Sequence, residues 1–551
     1  MPVTSERPTA ATATAAGGES PWKPFGHRVF AVLWVASLLG NIGTWIRDVG
    51  AGWLMTTMSA SATAVAMVQV ATTLPIFLLS LPAGALADIV NRRRLLLWLN
   101  AAGACVMLGI ALLTHAGLMS PTLLVLGLLL AGVTTAAMAP VQQSLVPLMV
   151  PRPQLRAAIA LNSMGFNLAR AVGPAVGGVI VASVGVAFNF FVDAASYLVL
   201  LLALWWWKDA ATPASSGAPE QLGPAMVAGV RFAWHAPALR RVMLRTGSFF
   251  IFASAYWALL PIIARQELGG GPTFYGIMLA SVGAGAVASA LALPALRKHI
   301  SAEGVMRIGL VATIGVLVLL ATVKQQAVAA VVMAVAGAAW LAVLTIANVT
   351  AQTQLPNWVR GRGLALYLTV VYGAMTLGSV VWGQVADSAS VPAALLAAAG
   401  LGVIAALLAW RKPLPEIEPD LTPSMHWPEP AVSPAIAASL TDDRGPVLVT
   451  VEYRVSPQRA ADFLSALRSV SAERLRDGAY QWGVFEDVAE AGRYVEHFLV
   501  PSWLEHERQH HRVSRADADL EDTVRKFHLG PDAPQVHHFV APASPTANGA
   551  G

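Results

Sequence analysis

The chain has 551 residues, 56% of them hydrophobic and only 12% charged, with a mean hydropathy of +0.59. A soluble domain carries about twice that charge fraction, so the excess apolar surface has to face lipid and the protein reads as polytopic. The net charge of +5 is not a nucleic-acid signal, because the basic residues cluster beside apolar segments, where they set membrane orientation.

Residues 1–24 are rich in Ala, Thr, Ser and Pro, contain no apolar core of signal-peptide type, and read as a disordered cytosolic tail. A helix needs roughly 20 apolar residues to cross the hydrocarbon core. Twelve such segments lie near 29–55, 61–87, 95–115, 121–141, 155–183, 187–207, 246–266, 273–296, 304–323, 327–349, 360–386 and 391–410. The expected fold is an all-α membrane protein of two six-helix bundles, 25–208 and 246–412, joined by a cytosolic loop at 209–245. Basic residues alternate from loop to loop: Arg28, Arg92 to Arg94, Arg152, Arg156, Lys208, Arg240, Arg241, Arg297, Arg360, Arg362, Arg411 and Lys412 on one side, little beyond Arg265 and Lys324 on the other. That asymmetry puts both termini in the cytosol. Weak similarity between the fifth segment and the eleventh suits a repeat with a central cavity. The lone Cys105 lies in an apolar run and reads as a packing residue.

Residues 413–445 are proline-rich and read as an extended linker. Residues 446–542 follow a β-α-β-β-α-β order, the pattern of a ferredoxin-like cytosolic domain, and 543–551 read as a disordered tail. In this domain His506 and His510 stand at i, i+4 spacing near His511, Glu505 and Glu507. A third protein ligand is not evident, so the stretch reads as a solvated helix face and no metal is assigned.

Charges within apolar segments are costly and mark functional sites by default. Arg47 and Asp48 stand side by side in the outer half of the first segment, Arg170 near the middle of the fifth, and Asp193 in the outer third of the sixth. Residues 47 and 48 point about 100° apart on a helix, so they need not pair. Asp48 is expected to be the protonatable group with Arg170 as its cationic partner, Arg47 and Asp193 completing the set; a static network is the competing reading. Asn41, Trp45 and Asp48 share one helical stripe. Asn41, Trp45, Gln69 and Asn167 are the expected substrate contacts.

Two motifs carry a resemblance. "GALADIVNRRR" keeps Gly84, Asp88, Arg92 and Arg93 at the spacing of the cytosolic gating loop of the major facilitator superfamily, with Ile89 and Asn91 departing from that family's pattern. "NLARAVGPAVGG" contains Gly173, Pro174, Gly177 and Gly178, similar to the core of the antiporter motif, though without its upstream glycines. With "FAVLWVASLLGNIGTWIRDVGAGWLM" and "SWLEHERQHHRV", these resemble the transmembrane secretion effector branch. The resemblance implies a contact of Asp88 with the start of the eleventh span and export of small organic molecules driven by protons. The last domain resembles the antibiotic-biosynthesis monooxygenase group of dimeric α+β barrels. A dimerisation or regulatory role is expected for it over an enzymatic one.

The sequence therefore reads as a secondary exporter in the cell membrane, moving a siderophore, antibiotic or other secondary metabolite by proton antiport. A proton-coupled importer of the same fold, or a membrane-anchored enzyme or sensor acting through the last domain, are the alternatives. No cofactor signature and no phosphate-binding loop of the G-x-x-x-x-G-K-[ST] type is present.

Overall fold

The computed structural model describes residues 20–89, 91–207, 222–415, 418–424, 426–427, 430–437 and 444–542. Among these residues, twelve helices are long and apolar enough to cross a membrane. The first six are α1 (Arg28–Met58), α2 (Ala62–Ile89), α3 (Arg92–His115), α4 (Pro121–Met149), α5 (Leu155–Ser183) and α6 (Ala187–Trp206). A short amphipathic helix, α7 (Leu222–His235), precedes α8 (Pro237–Ile262), α9 (Pro272–Leu296), α10 (Ala302–Thr322), α11 (Gln326–Thr353), α12 (Arg360–Ser388) and α13 (Val391–Arg411). The seventh span starts nine residues before its apolar segment, because the helix continues through Arg240, Arg241 and Arg245. Leu202, Leu291 and Leu408 are more than half exposed on the outside of the bundles, as a lipid-facing surface requires.

The two bundles meet along two helix pairs. Between α2 and α12, the Thr73 and Thr376 hydroxyls lie 2.8 Å apart and those of Ser80 and Thr369 2.7 Å apart. Between α5 and α9 the approach is closer still. A Cβ added at Gly178 would stand 2.8 Å from the Pro272 carbonyl and 3.0 Å from the Gly276 Cα, so only glycine admits this crossing.

After a four-residue helix, α14 (Pro434–Ala437), comes the C-terminal domain. Its elements are β1 (Val447–Arg454), α15 (Ala460–Asp477), β2 (Gln481–Glu486), β3 (Arg493–Val500), α16 (Trp503–Arg512), α17 (Arg515–Arg525) and β4 (Gln535–Val540). The sheet is antiparallel in the order β2-β3-β1-β4, the ferredoxin-like arrangement the strand and helix order implies. Alternation along β1 buries Val447, Val449, Val451 and Tyr453; Val451 and Tyr453 pack with Phe463, Leu467 and Val470 of α15, and Val447 and Val449 with Ala479, Phe498 and Val500. The segment read as an extended linker lies along this domain: Arg515 N donates to Thr422 O and Ser424 N to Val513 O, each at 3.0 Å.

Candidate functional site

α1 packs against α6 closely enough that a side chain at Gly43 would collide with Ser196. This brings Arg47 to Asp193. The Arg47 Nη1 lies 3.5 Å from Asp193 Oδ2, while its Nη2 and Nε reach Asp48 Oδ1 at 2.9 and 3.1 Å. Arg47 is 4% exposed and Asp193 is fully buried; the Asp48 side chain is about one-third exposed, at 34%. Asp193 also accepts from Ser196 Oγ at 3.3 Å. One cation thus serves two carboxylates, leaving one negative charge in a buried place.

The expected pairing of Asp48 with Arg170 is corrected by this geometry. The arginine side chain is long enough to fold back onto its neighbour despite the angle between them on the helix, so Arg47 takes Asp48. Arg170 lies instead where the bundles meet. Its guanidinium carbon is 5.7 Å from the ring centres of both Trp45 on α1 and Trp257 on α8. It is 7% exposed, its Nε has no hydrogen-bond partner, and no carboxylate pairs with it among the described residues. A planar cation held between two indoles from opposite halves suits an anionic or π-rich guest.

Of the other expected contacts, Asn41, Trp45 and Gln69 are half-buried, and Trp45 alone of the four touches the Arg170 cation. Asn167 donates to Ser163 O on its own helix at 2.9 Å. Gly173 and Gly177 face α1, against Trp45 and Ile46, whereas Pro174 and Gly178 face α9. The motif therefore allows α5 to lie tightly between two helices. Arg93 donates to the carbonyls of Leu204 and Trp205 at 2.9 Å, holding the end of α6. Gly84 and Asp88 fall on the last turns of α2, and the expected contact of Asp88 with the start of α12 lies outside the described residues.

The end of the bundle away from the C-terminal domain is sealed by groups the sequence reading missed. Asp387, at the end of α12, accepts from Ser61 Oγ and Ala62 N at 2.6 Å and from Thr63 N at 3.0 Å. It caps α2 across the divide between the bundles. Arg265 donates to Thr56 Oγ1 at 3.2 Å and lies 5.5 Å from the Trp53 ring, which stacks on Tyr275. The signal for Asp387 was a lone carboxylate at the far end of a span whose other charges, Arg360 and Arg362, stand in its first turn.

At the opposite end, the C-terminal domain docks on the membrane part. Arg231 of α7 bonds Glu505 at 3.0 Å and the Gly478 carbonyl at 3.2 Å. The Arg512 guanidinium lies 4.4 Å from the Trp358 ring, just before α12. Hydrogen bonds from Arg512 and Arg231 hold the Glu505 carboxyl below its usual range despite its burial. The expectation of a solvated histidine face on α16 is corrected: His506 is 1% exposed, because α16 lays it against the inner face of the sheet, where His538 meets it. Only His511 of the three stays exposed.

A family model described as transmembrane secretion effector matches residues 19–546. The multidrug efflux pump Tap of Mycolicibacterium fortuitum is 28% identical over 391 residues, 68% of this chain and 94% of its own. The enterobactin exporter EntS of Salmonella typhimurium is 25% identical over 388 residues, 69% of this chain and 90% of its own. The crystal structure of the nucleoside transporter NupG superposes with a TM-score of 0.54 at 16% identity, covering 70% of this chain and 98% of that one; this likeness is one of fold.

Proposed function

Because the chain belongs to the transmembrane secretion effector family, we propose that it works by proton antiport, with Asp193 as the group that takes and releases the proton. It is a multi-pass membrane protein of major facilitator fold and a secondary exporter of small organic molecules. The observation that carries the coupling reading is the charge count at Arg47. Two carboxylates share one buried guanidinium, and Asp48 holds it with the two shorter bonds. A proton on Asp193 neutralises the remainder. Loss of that proton leaves a buried anion that favours a state in which water reaches α6.

Arg170 between Trp45 and Trp257 is the substrate contact in this reading, with Asn41 and Gln69 lining the path. The cargo is an anionic or aromatic-bearing molecule, in keeping with the siderophore and drugs named for its relatives. Both termini are cytosolic, since the basic loops gather on the side where the C-terminal domain docks; the Asp387 seal is then the outer gate. Asp88, with Gly84 and Arg92, closes the inner gate against α12. Two copies pair through the outer face of the C-terminal sheet, where Phe485 and Phe539 are 66% and 53% exposed.

Inverted membrane vesicles test the direction. With an acid interior they accumulate cargo, and collapsing the pH gradient stops it. Accumulation that fails under that gradient and appears under the reverse one assigns an importer instead.

A further inference from the structure

α16 and β4 bring three imidazoles together in the C-terminal domain. The helical i, i+4 spacing stacks His506 and His510, with ring centres 4.9 Å apart. Strand alternation turns His538 inward, in register with Val449 of β1, and leaves His537 on the outer face. One nitrogen from each of His506, His510 and His538 lies within 4.8 Å of the other two. The Nε2 atoms of His506 and His510 are 3.3 Å apart. Two nitrogens bound to one tetrahedral zinc at about 2.0–2.1 Å are separated by about 3.3–3.4 Å.

The surroundings support ligation. His506 Nδ1 faces Gln509 Oε1 at 3.3 Å, which makes Nδ1 the donor and leaves the Nε2 lone pair toward the other rings. A hydrogen bond of this kind orients metal-ligating histidines. Burial and the neighbouring His538 and His510 push His506 down to about 3, and burial lowers His538 as well; both shifts favour the neutral ring, the form a metal binds. Trp503 and Trp427 wall the group, their rings 5.6 Å from His506 and 5.1 Å from His510. An inward position on a sheet ordinarily takes an aliphatic side chain; three adjacent imidazoles need another reason.

We infer that His506, His510 and His538 bind one divalent transition-metal ion of the zinc type, with a fourth position open to water or a small ligand. Imidazole donors select zinc, cobalt, nickel or copper over calcium and magnesium. The inference is independent of the transport reading.

The test titrates the full chain in detergent with Co2+ alone, followed by its visible absorption, and then with Zn2+. One Co2+ per chain with tetrahedral bands, displaced by Zn2+, is expected. His538→Gln and His510→Gln each weaken binding about 100-fold, and His511→Gln leaves it unchanged. Absence of the bands, or bands unaltered by both His538→Gln and His510→Gln, overturns the site. Circular dichroism of each variant guards against misfolding, and His510→Gln, on a half-buried helix position, carries the test if the strand variant perturbs the sheet.

Discussion

Two buried arginines in this molecule each serve two carboxylates, one inside the membrane part and one in the C-terminal domain, and their surroundings differ. Arg474 pairs with Glu496 at 3.3 Å and with Glu521 at closer range. Both acids are further supplied: Glu496 by Trp482 Nε1 at 3.0 Å and the Tyr453 hydroxyl at 3.2 Å, Glu521 by His426 at 2.7 Å and Trp427 Nε1 at 2.9 Å. At Arg47 the second acid has one long contact and one serine. A saturated network fixes a single arrangement, because removing any donor exposes an unsatisfied buried group. An undersupplied one leaves a buried carboxylate with unused acceptor capacity. The same charge arithmetic thus gives a clamp in one place and, in the proposed coupling reading, a switch in the other.

Glu521→Gln tests the clamp and carries the largest expected effect. Although burial opposes it, Arg474 together with hydrogen bonds from His426 and Trp427 holds the Glu521 carboxyl down to about 2. The folded state therefore binds fewer protons than the unfolded chain between about 4.5 and 2. The stabilisation is fully present above pH 4.5 and is lost as pH falls through that window, amounting to about 3 kcal/mol at neutral pH. Protection of the β1 and β3 amides of the full chain against hydrogen exchange at pH 7 should fall accordingly in the variant, while the parent should lose the same protection, relative to the intrinsic exchange rate, only on acidification. Equal exchange in parent and variant at pH 7 would reduce the clamp to a packing contact.

Asp193→Asn tests the switch. A single proton moved per neutral substrate sustains about a 50-fold gradient at 100 mV, from roughly 2.3 kcal/mol per charge. The variant should lose that accumulation in proteoliposomes while keeping substrate exchange, which needs no net proton movement. Asp48→Asn should keep part of the gradient. The reverse order, with Asp48→Asn abolishing accumulation and Asp193→Asn retaining it, would return the coupling role to Asp48.

How far these two regions were legible in the sequence follows from how each residue is placed. The spans, the sheet order and the cost of Arg47, Asp48, Arg170 and Asp193 in lipid all derive from local composition and period. Pairing does not, since it depends on which helix face meets which, and a flexible arginine can reach either way. Gly43 was silent in the sequence because its role is to let Ser196 and Asp193 approach. Trp257 belongs to an apolar run and became informative only when α8 brought it over Arg170. His538 was hidden by its distance along the chain from His506, although the inward register of β4 is a period-two inference.

Arg170→Gln probes the aromatic clasp between the halves. Losing a cation that sits against two indoles removes about 1–2 kcal/mol of guest attraction, so apparent affinity for an anionic or aromatic cargo should fall about 10-fold, with the maximal exchange rate changed less. Arg170→Lys should recover little, because an ammonium cannot fill the plane between two rings. Full activity of the lysine variant would mean that charge alone matters there.

The smallest effect is expected at the seal. Asp387 satisfies the first donors of α2 from the other bundle, so its hydrogen bonds exist only while that end is closed. A cap of this kind is worth about 1 kcal/mol, which corresponds to about a fivefold change in the ratio of closed to open states. In a Cys105→Ser background, spin labels at S59C and S388C should report a larger long-distance fraction when Asp387→Ala is added. Asp387→Asn should lie between the two, since its single carbonyl oxygen can still accept from one donor. Distances unchanged by either substitution would show that Arg265, Trp53 and Tyr275 keep that end shut without the cap, and would move the energetic weight of its closure from α2 and α12 to α1 and α9.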